Sequence, residues 1–305
     1  MIIFLSILGV IGVSASGPIM AATAAPVLAI AFWRNLLGAG LMAVPTAVTK
    51  RAEFAALTAA DYKRLTIAAV ALALHFVCFV SALKLTSVAA ATALVCLQVA
   101  WIALFDSLLG RRPQGVVVAG LGVALLGVVI ITGFDLSLSR EALLGDVLAL
   151  AGGAMAAIYQ MAGAAARRTM STGTYTTLCY GACAAILAVL CLLTGQALVG
   201  FSPAAWAGIL AVTVLAQLMG HSVFNHLLAV MSPLVVSMII LLEIPGAALL
   251  AAIFLDEKLP IGTYGGLLLI LAGLAVVVRG QQRARGRRRP LGTDHPTPPP
   301  ALGGE

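Results

Sequence analysis

One apolar pattern occurs twice in this sequence, and the repetition limits how the chain can fold. Residues 85–130 read LTSVAAATALVCLQVAWIALFDSLLGRRPQGVVVAGLGVALLGVVI, and residues 230–277 return to the same order of polar, small and branched residues. The matching positions are Ser87 with Ser232, Gln98 with Glu243, Gly120 with Gly266 and Gly127 with Gly273. If each copy holds five membrane spans, an odd number, the second copy must lie upside down relative to the first.

The composition is that of a protein embedded in a bilayer. Hydrophobic residues make up 62% of the chain and charged residues 10%, whereas about a quarter of residues are charged in soluble domains. A spanning helix needs about 20 apolar residues, so 305 residues hold roughly ten helices and leave no room for a separate soluble catalytic domain. The predicted fold class is an all-α integral membrane protein with ten transmembrane helices arranged as two inverted five-helix repeats.

Charged, Pro and Gly residues divide the apolar sequence into ten predicted spans. The first repeat, residues 1–134, holds 2–23, 28–48, 65–83, 87–108 and 115–133. The second repeat, residues 143–279, holds 144–165, 173–194, 205–228, 233–255 and 261–279. Residues 280–305 combine Arg and Pro without apolar periodicity, which predicts a disordered cytoplasmic tail.

The distribution of charge predicts the orientation of the chain. With the N-terminus inside, most Lys and Arg lie in cytoplasmic loops and in the tail, while Lys84, Arg140 and Lys258 fall on the opposite side. The positive-inside rule then places both termini in the cytoplasm, with the chain in the inner (plasma) membrane. The formal charge of +7 belongs to this basic face, so we expect contact with the lipid bilayer and no binding of nucleic acid.

No pattern in the sequence indicates a cofactor. The five cysteines lie inside apolar segments without CxxC spacing, which argues against a disulfide framework or a zinc site. The sequence has neither the G-x-x-x-x-G-K-[ST] pattern of nucleotide binding nor the H-E-x-x-H pattern of zinc proteases. We therefore expect no cofactor, no metal site and no enzymatic activity.

Polar side chains inside the spans are the best guide to a functional site, because they are costly in hydrocarbon and face a cavity or a partner. Counted from the helix ends at about 1.5 Å per residue, His75, Gln98, Gln217 and Glu243 lie near the midplane. Arg34 and Asp106 lie nearer to helix ends and are predicted to anchor at the head groups. The other polar residues in the spans are Asn35, Tyr159, Gln160, His221 and Asn225.

Glu243 is the sharpest candidate, since it is the acidic residue nearest the centre of a span. It lies in the sequence LLEIPGA, where Pro245 leaves a backbone carbonyl without its helical partner. Its carboxyl group is expected either to carry a proton coupled to substrate or to bind a cationic group of the substrate. The alternative is a structural carboxyl group that is hydrogen-bonded to Gln98 or His75 and fixes helix packing.

The remaining candidates each allow two interpretations. His75 exchanges a proton with the carboxyl group, or it is satisfied by a backbone carbonyl. Gln98 and Trp101 share one face of the fourth span, which predicts a polar contact beside an aromatic wall, although Trp101 alone is typical of core or lipid contact. In the second repeat a polar stripe lines a water-accessible path or holds helices together; its members are Tyr159, Gln160, Gln217, His221 and Asn225.

These residues resemble the EamA domain family of the drug/metabolite transporter superfamily. The resemblance covers Ile2 to Val278 as two repeats and is carried by AIAFWRNLLGAGLMAVP in the second span, GDVLALAGGAMAAIYQMAGAAARR in the sixth and LLEIPGAALLAAIFLDEKLP in the ninth. It implies ten helices in inverted halves and export or exchange of small metabolites. It also implies an acidic residue in the ninth helix at Glu243 and a terminal one at Glu257, where the first repeat has Gln98 and Arg112.

The sequence thus predicts a secondary transporter that exports a small polar or amphipathic metabolite, amino acid-like or drug-like, by alternating access between inverted repeats. Glu243 is the candidate for proton coupling. One alternative is a membrane enzyme acting on a lipid or a lipid-linked intermediate, and another is a structural or sensory subunit. The expected partners are a small-molecule substrate and the bilayer, and a homodimer through glycine-rich faces stays open. The predicted cavity residues are Glu243, His75, Gln98, Trp101, Tyr159, Gln217 and His221.

Overall fold

A computed structural model describes residues 1–111, 113–134, 139–257 and 261–287, and every regular element in these ranges is a helix. Eight helices are long and apolar enough to cross a membrane, and two more carry shorter apolar stretches. In chain order they are α1 (Ile2–Ala22), α2 (Val27–Thr49), α3 (Ala59–Ala82), α4 (Val88–Leu108), α5 (Gly115–Phe134), α6 (Arg140–Ala166), α7 (Thr172–Thr194), α8 (Pro203–Leu227), α9 (Pro233–Phe254) and α10 (Ile261–Arg287). A short helix, Arg51–Ala55, joins α2 to α3. The described chain is therefore an all-helical, multi-pass protein.

The outer surface of the helices is apolar. Phe4, Leu192, Leu193 and Phe254 each expose more than two thirds of their surface, at 67%, 76%, 77% and 73%. A soluble protein does not leave large side chains of this kind so widely uncovered. This exterior suits contact with lipid.

Two helix boundaries differ from the predicted spans for local reasons. α3 begins at Ala59, before the predicted start at residue 65, because Thr58 and Asp61 form a capping box in which each side chain accepts a hydrogen bond from the other residue's backbone N–H. α10 is described as far as Arg287, seven residues past position 280, where the predicted tail begins. Gln, Arg and Ala in this stretch are good helix formers and carry the helix past its apolar part. The rest of the predicted tail, residues 288–305, lies outside the described residues.

The helices α4 and α9 are each interrupted midway. α4 consists of Val88–Val95 and Gln98–Leu108, and α9 consists of Pro233–Ile240 and Glu243–Phe254. The interruptions fall at matching positions of the sequence repeat. Gln98 and Glu243 are thus the first residues of the second half-helix in each case.

Both interruptions are tightened turns with the same hydrogen bonds. In α4, Leu97 N–H donates to the Leu94 carbonyl at 3.2 Å, three residues back instead of four. In α9, Leu242 N–H donates to the Ile239 carbonyl at 3.1 Å in the same way. The two half-helix pairs therefore share one backbone design.

α8 is also irregular at its centre. Between α-helical ends, residues Thr213–Ser222 wind as a π-helix, a conformation that is rare and often found at functional positions. Gln217 and His221 lie inside this wide segment. The geometry of α8 thus differs from a plain helix at the residues that the sequence singles out.

α5 and α10 approach each other through glycines. A Cβ atom on Gly120 would lie 2.6 Å from the Gly273 carbonyl oxygen, and one on Gly127 would lie 2.5 Å from the Gly266 carbonyl oxygen. Small residues permit such close backbone contact in membrane helices. Since the earlier glycine of α5 faces the later glycine of α10, the two helices run antiparallel.

The other extensive helix contacts also join one half of the sequence to the other. α3 packs on α6, α1 on α8, and α2 on α7. Under the correspondence of the sequence repeat, α1 matches α6 and α3 matches α8, so the first two contacts are counterparts. The interior of the molecule is therefore formed where the two halves meet.

Candidate functional site

The predicted polar residues converge on a small cavity between the two interrupted helices. The cavity has a volume of about 40 Å³, which holds water but no metabolite of ordinary size. We call it the central cavity. Its polar and aromatic lining includes Ser16 of α1, His75, Phe76 and Phe79 of α3, Gln98 of α4, Tyr159 and Gln160 of α6, His221, Phe224 and Asn225 of α8, and Glu243 of α9.

Glu243 lies in the wall of the central cavity at the start of a half-helix. Its side chain is 7% exposed, and the Cys96 thiol approaches its Oε2 at 4.0 Å. The N-terminal end of the half-helix favours negative charge at this position. Within the described ranges neither Gln98 nor His75 hydrogen-bonds the carboxyl group, so the purely structural interpretation has no support from these contacts.

His75 is fixed by a backbone carbonyl. Its Nδ1 lies 3.0 Å from the Gly152 carbonyl oxygen. Since a carbonyl oxygen only accepts, Nδ1 carries the hydrogen of this bond, and in the neutral ring Nε2 is left as an acceptor. The ring stacks on Phe79 with a centroid distance of 5.8 Å.

A hydrogen-bonded network occupies the side of the central cavity formed by α6, α7 and α8. Asn225 Nδ2 donates to the Tyr159 hydroxyl at 2.5 Å and to the Tyr180 hydroxyl at 3.1 Å. Tyr180 in turn lies 3.2 Å from the Ser222 hydroxyl. The His221 ring lies 6.4 Å from the ring of Tyr159, measured between centroids. Tyr159 and His221 are thus both held at the cavity.

Arg34 is the main residue whose position the sequence prediction misses. Its side chain is 0% exposed, so the prediction that it anchors at the head groups is wrong. Nε donates to Gln217 Oε1 at 2.9 Å, and Gln217 Nε2 donates to Asn35 Oδ1 at 3.1 Å. The guanidinium carbon lies 4.3 Å from the centre of the Phe76 ring. Gln217 therefore positions Arg34 and does not itself line the cavity.

Depth along the helix was a poor guide to Arg34, because the face of the helix decides its exposure. The side chains of Arg34 and Asn35 point to α8 and away from lipid, and both form hydrogen bonds with Gln217. The available signal was the adjacent pair Arg34–Asn35 in a span whose other residues are almost all apolar. Such a pair indicates partners inside the bundle.

Trp101 does not join the central cavity. It lies in a lateral groove of about 370 Å³ lined by residues of α4, α5 and α6, and its ring stacks on Phe105 at 5.9 Å. Trp101 follows Gln98 by three residues, which turns it about 60° around the helix. That rotation places Gln98 towards the cavity and Trp101 on the neighbouring face.

One end of the bundle is closed by a lysine. Lys84 Nζ donates to the backbone carbonyls of Met20, Ala21 and Thr23 at 3.1, 3.0 and 3.0 Å. A cation at the C-terminal end of a helix satisfies free carbonyls and the helix dipole. Partial burial lowers the pKa of Lys84. The connection between α3 and α4 is thereby tied to the end of α1.

The opposite end is closed by an arginine and two carboxylates. Arg167 Nε donates to the Asn225 carbonyl at 3.1 Å, and its Nη1 donates to the Met170 carbonyl. Glu53 accepts from the Ser171 backbone N–H, and Asp61 accepts from the Thr169 hydroxyl at 2.7 Å. The ends of α6 and α8 are thus joined to each other and to α3.

The described residues contain no group of three or more His, Cys, Asp or Glu side chains placed to hold a metal ion. His75 and His221 face each other at 6.3 Å between ring centroids. The side chains that line the central cavity carry hydrogen-bond donors and acceptors, and Glu243 adds a carboxyl group.

Comparison with known proteins gives a family and a fold. A family model described as "EamA-like transporter family" matches residues 1–133 and 143–279. A solved structure titled "Crystal structure of protein" is similar with a TM-score of 0.73 at 18% sequence identity, over 92% of this chain and 97% of that chain. At such low identity the likeness is one of fold. No curated protein matches the chain in sequence.

Proposed function

Because the chain belongs to the EamA-like transporter family, we propose that it is a secondary transporter that exports a small polar or amphipathic metabolite by alternating access. The observation that carries the proposal is the central cavity, which lies at the interruptions of α4 and α9 and takes its polar lining from both halves. Discontinuous helices at a repeat interface are typical of transporter binding sites. No contact in the described residues favours a lipid-modifying enzyme.

Alternating access requires two halves that can rock about the site, and we propose that these are inverted five-helix repeats, residues 1–134 and 143–279, with ten spanning helices. Two features support this arrangement. The glycines of α5 and α10 meet in antiparallel, reciprocal fashion, as a two-fold axis in the membrane plane requires. The turns that interrupt α4 and α9 carry matching hydrogen bonds. Both termini then lie in the cytoplasm, and the chain in the inner membrane.

The closed ends fit a transporter with its binding site occluded. We propose that the contacts of Lys84 close one end and those of Arg167 the other, while the cavity between them is only about 40 Å³. Opening one set of contacts at a time would admit substrate from one side and release it on the other. In the proposed orientation the Lys84 end faces outwards and the Arg167 end faces the cytoplasm.

Glu243 is the residue through which we propose that a proton is coupled to transport. Its carboxyl group lines the cavity, and its side-chain partner among the described residues is the weakly donating Cys96 thiol, at 4.0 Å from Oε2. A buried carboxyl group of this kind can be neutral in one stage of the cycle and charged in another. Protons that enter the cell down their gradient through Glu243 would then drive the export of the substrate.

The first test is to compare metabolites in medium and cell pellet by untargeted mass spectrometry. The cells produce the parent chain, Glu243→Gln, the matched control Glu141→Gln, or no transporter. Glu141 is exposed in the first turn of α6, so its substitution makes the same chemical change away from the cavity. We expect a compound enriched in the medium with the parent and with Glu141→Gln only. Equal metabolite profiles for the parent and the empty vector would contradict export.

Proton coupling needs a separate measurement, in which a pH gradient is imposed across the membrane of everted vesicles. The compound found above is supplied outside, and its uptake is followed with and without the gradient. The parent chain should respond to the gradient, and Glu243→Gln should not. Full gradient-driven uptake by Glu243→Gln would rule out the coupling role while leaving transport itself in place.

A further inference from the structure

A wide groove lies on the outer surface between α1, α9 and α10. Its volume is about 660 Å³, against about 40 Å³ for the central cavity. The described residues that line it are Ile, Val, Leu and Met, with two serines and no charged side chain. Ile7 and Ile11 of α1 are 55% and 57% exposed there, so the groove opens towards lipid. We call it the α1–α9–α10 groove.

The α1–α9–α10 groove has the depth of one membrane leaflet. Along α9 it extends from Ser232, directly before the helix, to Leu242, at the interruption. Ten residues of helix correspond to about 15 Å, which is half of a hydrocarbon core about 30 Å thick. α1 borders the groove from Ile2 to Ile11, a stretch of similar length. The acyl chain of a lipid in one leaflet therefore matches the groove in length and in polarity.

Positive charge lies where α10 leaves this groove. α10 borders the groove with Leu274 and Val277, in its C-terminal half, and then continues as a helix to Arg287. Arg279 follows Val277 by two residues and is exposed. The stretch 279–287 reads RGQQRARGR, which contains four arginines and no acidic residue. A basic helix end next to the apolar part of a membrane helix lies at the level of the lipid head groups, where it attracts negative charge.

The lateral groove at Trp101 provides a comparison within the molecule. It is bordered by α4, α5 and α6, which correspond in the sequence repeat to α9, α10 and α1. Its volume is smaller, at about 370 Å³. The residues that follow α5, 135–139, read DLSLS and contain an acidic residue but no Lys or Arg. Of the two grooves, only the α1–α9–α10 groove thus combines an apolar channel with a basic helix end.

The charge decides which lipid the groove selects. An apolar groove in a membrane gains little by exchanging one lipid chain for another, because lipid tails are as apolar as its lining. Selection must therefore come from the head group, and arginines near the membrane surface favour anionic head groups. We propose that the α1–α9–α10 groove binds one anionic phospholipid, with an acyl chain along the groove and the phosphate group at the Arg279 end of α10.

This lipid site is separate from the central cavity and goes beyond the proposed transport function, since lipid binding requires neither export nor proton coupling. The bound acyl chain ends at Leu242, the residue directly before Glu243. The lipid thus packs against the turn that interrupts α9 and contacts α1 and α10 at the same time.

The test is native mass spectrometry of the purified full-length chain in detergent with two lipids that differ in charge. Dioleoyl phosphatidylglycerol is anionic, and dioleoyl phosphatidylcholine has the same chains without net charge. We expect one phosphatidylglycerol to bind at least about fivefold more tightly than phosphatidylcholine, the contribution of about one arginine near the surface. Equal retention of the two lipids would overturn the proposal. Displacement of the lipid by an equal concentration of glycerol 3-phosphate would also overturn it, because the acyl chain would then contribute nothing.

Variants that fill the groove test its location. Ile7→Trp places a large side chain in the groove and should abolish the tightly bound phosphatidylglycerol. Val129→Trp is the matched control, because Val129 lines the groove at Trp101 and is 63% exposed. Where Ile7→Trp does not fold, Ile11→Trp at the deeper end of the groove replaces it. Unchanged lipid binding in the folded groove variant would overturn the site. A doubled protein mass without lipid, lost in the groove variant, would assign the groove to a second copy and overturn the lipid.

Variants of the basic helix end test the head-group contact. Arg279→Gln combined with Arg283→Gln should lower the preference for phosphatidylglycerol by at least about fivefold. The control is Arg51→Gln combined with Arg168→Gln, which removes the same charge at two exposed positions away from the groove. The control should keep the preference of the parent. An equal loss of preference in both double variants would mean that overall surface charge selects the lipid, and it would overturn the site.

Discussion

α4 and α9 have the same backbone and different chemistry. Each helix is interrupted by one tightened turn, and the next half-helix begins at Gln98 in one and at Glu243 in the other. Both side chains line the central cavity. A neutral amide and an ionisable carboxyl group therefore occupy matching positions on a matching scaffold.

This difference separates what the scaffold does from what the side chains do. Movement between two openings needs halves of similar shape, and the shared turns provide that. The proposed proton coupling, in contrast, uses a carboxyl group that the cavity lining has at Glu243 and not at the matching Gln98. The buried positive charge is also unequal, since Arg34 lies on α2 and is bound by Gln217 of α8. The molecule thus combines a symmetric frame with an asymmetric site.

The strongest way to break the comparison is to make the two positions alike. Glu243→Gln gives both helices an amide, and we expect export to fall by at least about tenfold, because the proposed proton site is lost. The measurement is the rate of export of the compound identified from the medium. Folding is checked by the melting temperature of the purified variant, which should stay near that of the parent.

A double variant sharpens the same comparison. Gln98→Glu combined with Glu243→Gln moves the carboxyl group to the matching position of α4. We expect this protein to stay inactive, since the carboxyl group has left the position in α9 beside the Cys96 thiol. Recovery of export by the double variant would mean that either helix can carry the carboxyl group and that the asymmetry has no functional role.

The close contact between α5 and α10 predicts similar effects of substitutions at its two glycine positions in α5. Gly120→Ala and Gly127→Ala should each lower the stability by about 1–3 kcal/mol, because the added methyl groups meet the backbone of α10. Gly122→Ala is the control, since nothing lies within 4 Å of its added Cβ atom. The measurement is thermal unfolding in detergent. Equal stability of all three variants would contradict the close antiparallel packing of α5 and α10.

The two ends of the bundle should respond in opposite directions when their contacts are removed. Lys84→Met loses the bonds to three carbonyls near the end of α1, and Arg167→Met loses those to Asn225 and Met170. Cys96, which is 1% exposed and lines the central cavity, can report opening. In a chain whose other cysteines are serine, a membrane-impermeant maleimide should label Cys96 up to about tenfold faster from outside in Lys84→Met and from inside in Arg167→Met.

The control for this pair is Arg140→Met, which removes an exposed cation at the start of α6. Its labelling rate should equal that of the parent from either side. If Lys84→Met and Arg167→Met both speed labelling from the same side, the two sets of contacts do not close opposite ends as proposed.

The sequence predicts the membrane class and the approximate positions of the helices, because each spanning helix is a stretch of about 20 mostly apolar residues. It also points to Glu243, His75 and Gln98, which the structure brings to one cavity. The sequence does not predict the surroundings of Arg34 and Trp101. Both depend on which face of a helix meets which neighbour, and the twist and breaks of α4 and α8 decide that.

The interruptions themselves show where sequence reasoning ends. Pro245 marks the break in α9, because proline cannot donate a backbone hydrogen bond. The break in α4 has no such marker, and its turn at Cys96 and Leu97 contains ordinary residues. The sequence repeat allows the break in α4 to be inferred from the break in α9, since Gln98 matches Glu243. We therefore expect the packing between α4 and α9 to be sufficient for the turn without a proline.

The smallest effect on export is expected for a substitution of Pro245. If packing sets the turn, Pro245→Ala should keep the break in α9, because α4 forms the same turn with Ala100 donating to Leu97 at 2.8 Å. Export by Pro245→Ala should then stay within about threefold of the parent, a change of well under 1.4 kcal/mol. Ala100→Pro, which places the proline in α4 instead, should likewise be tolerated, apart from the loss of this one hydrogen bond. A loss of export in Pro245→Ala as large as that in Glu243→Gln would instead indicate that proline causes the turn in α9. The similar turns of α4 and α9 would then have different causes.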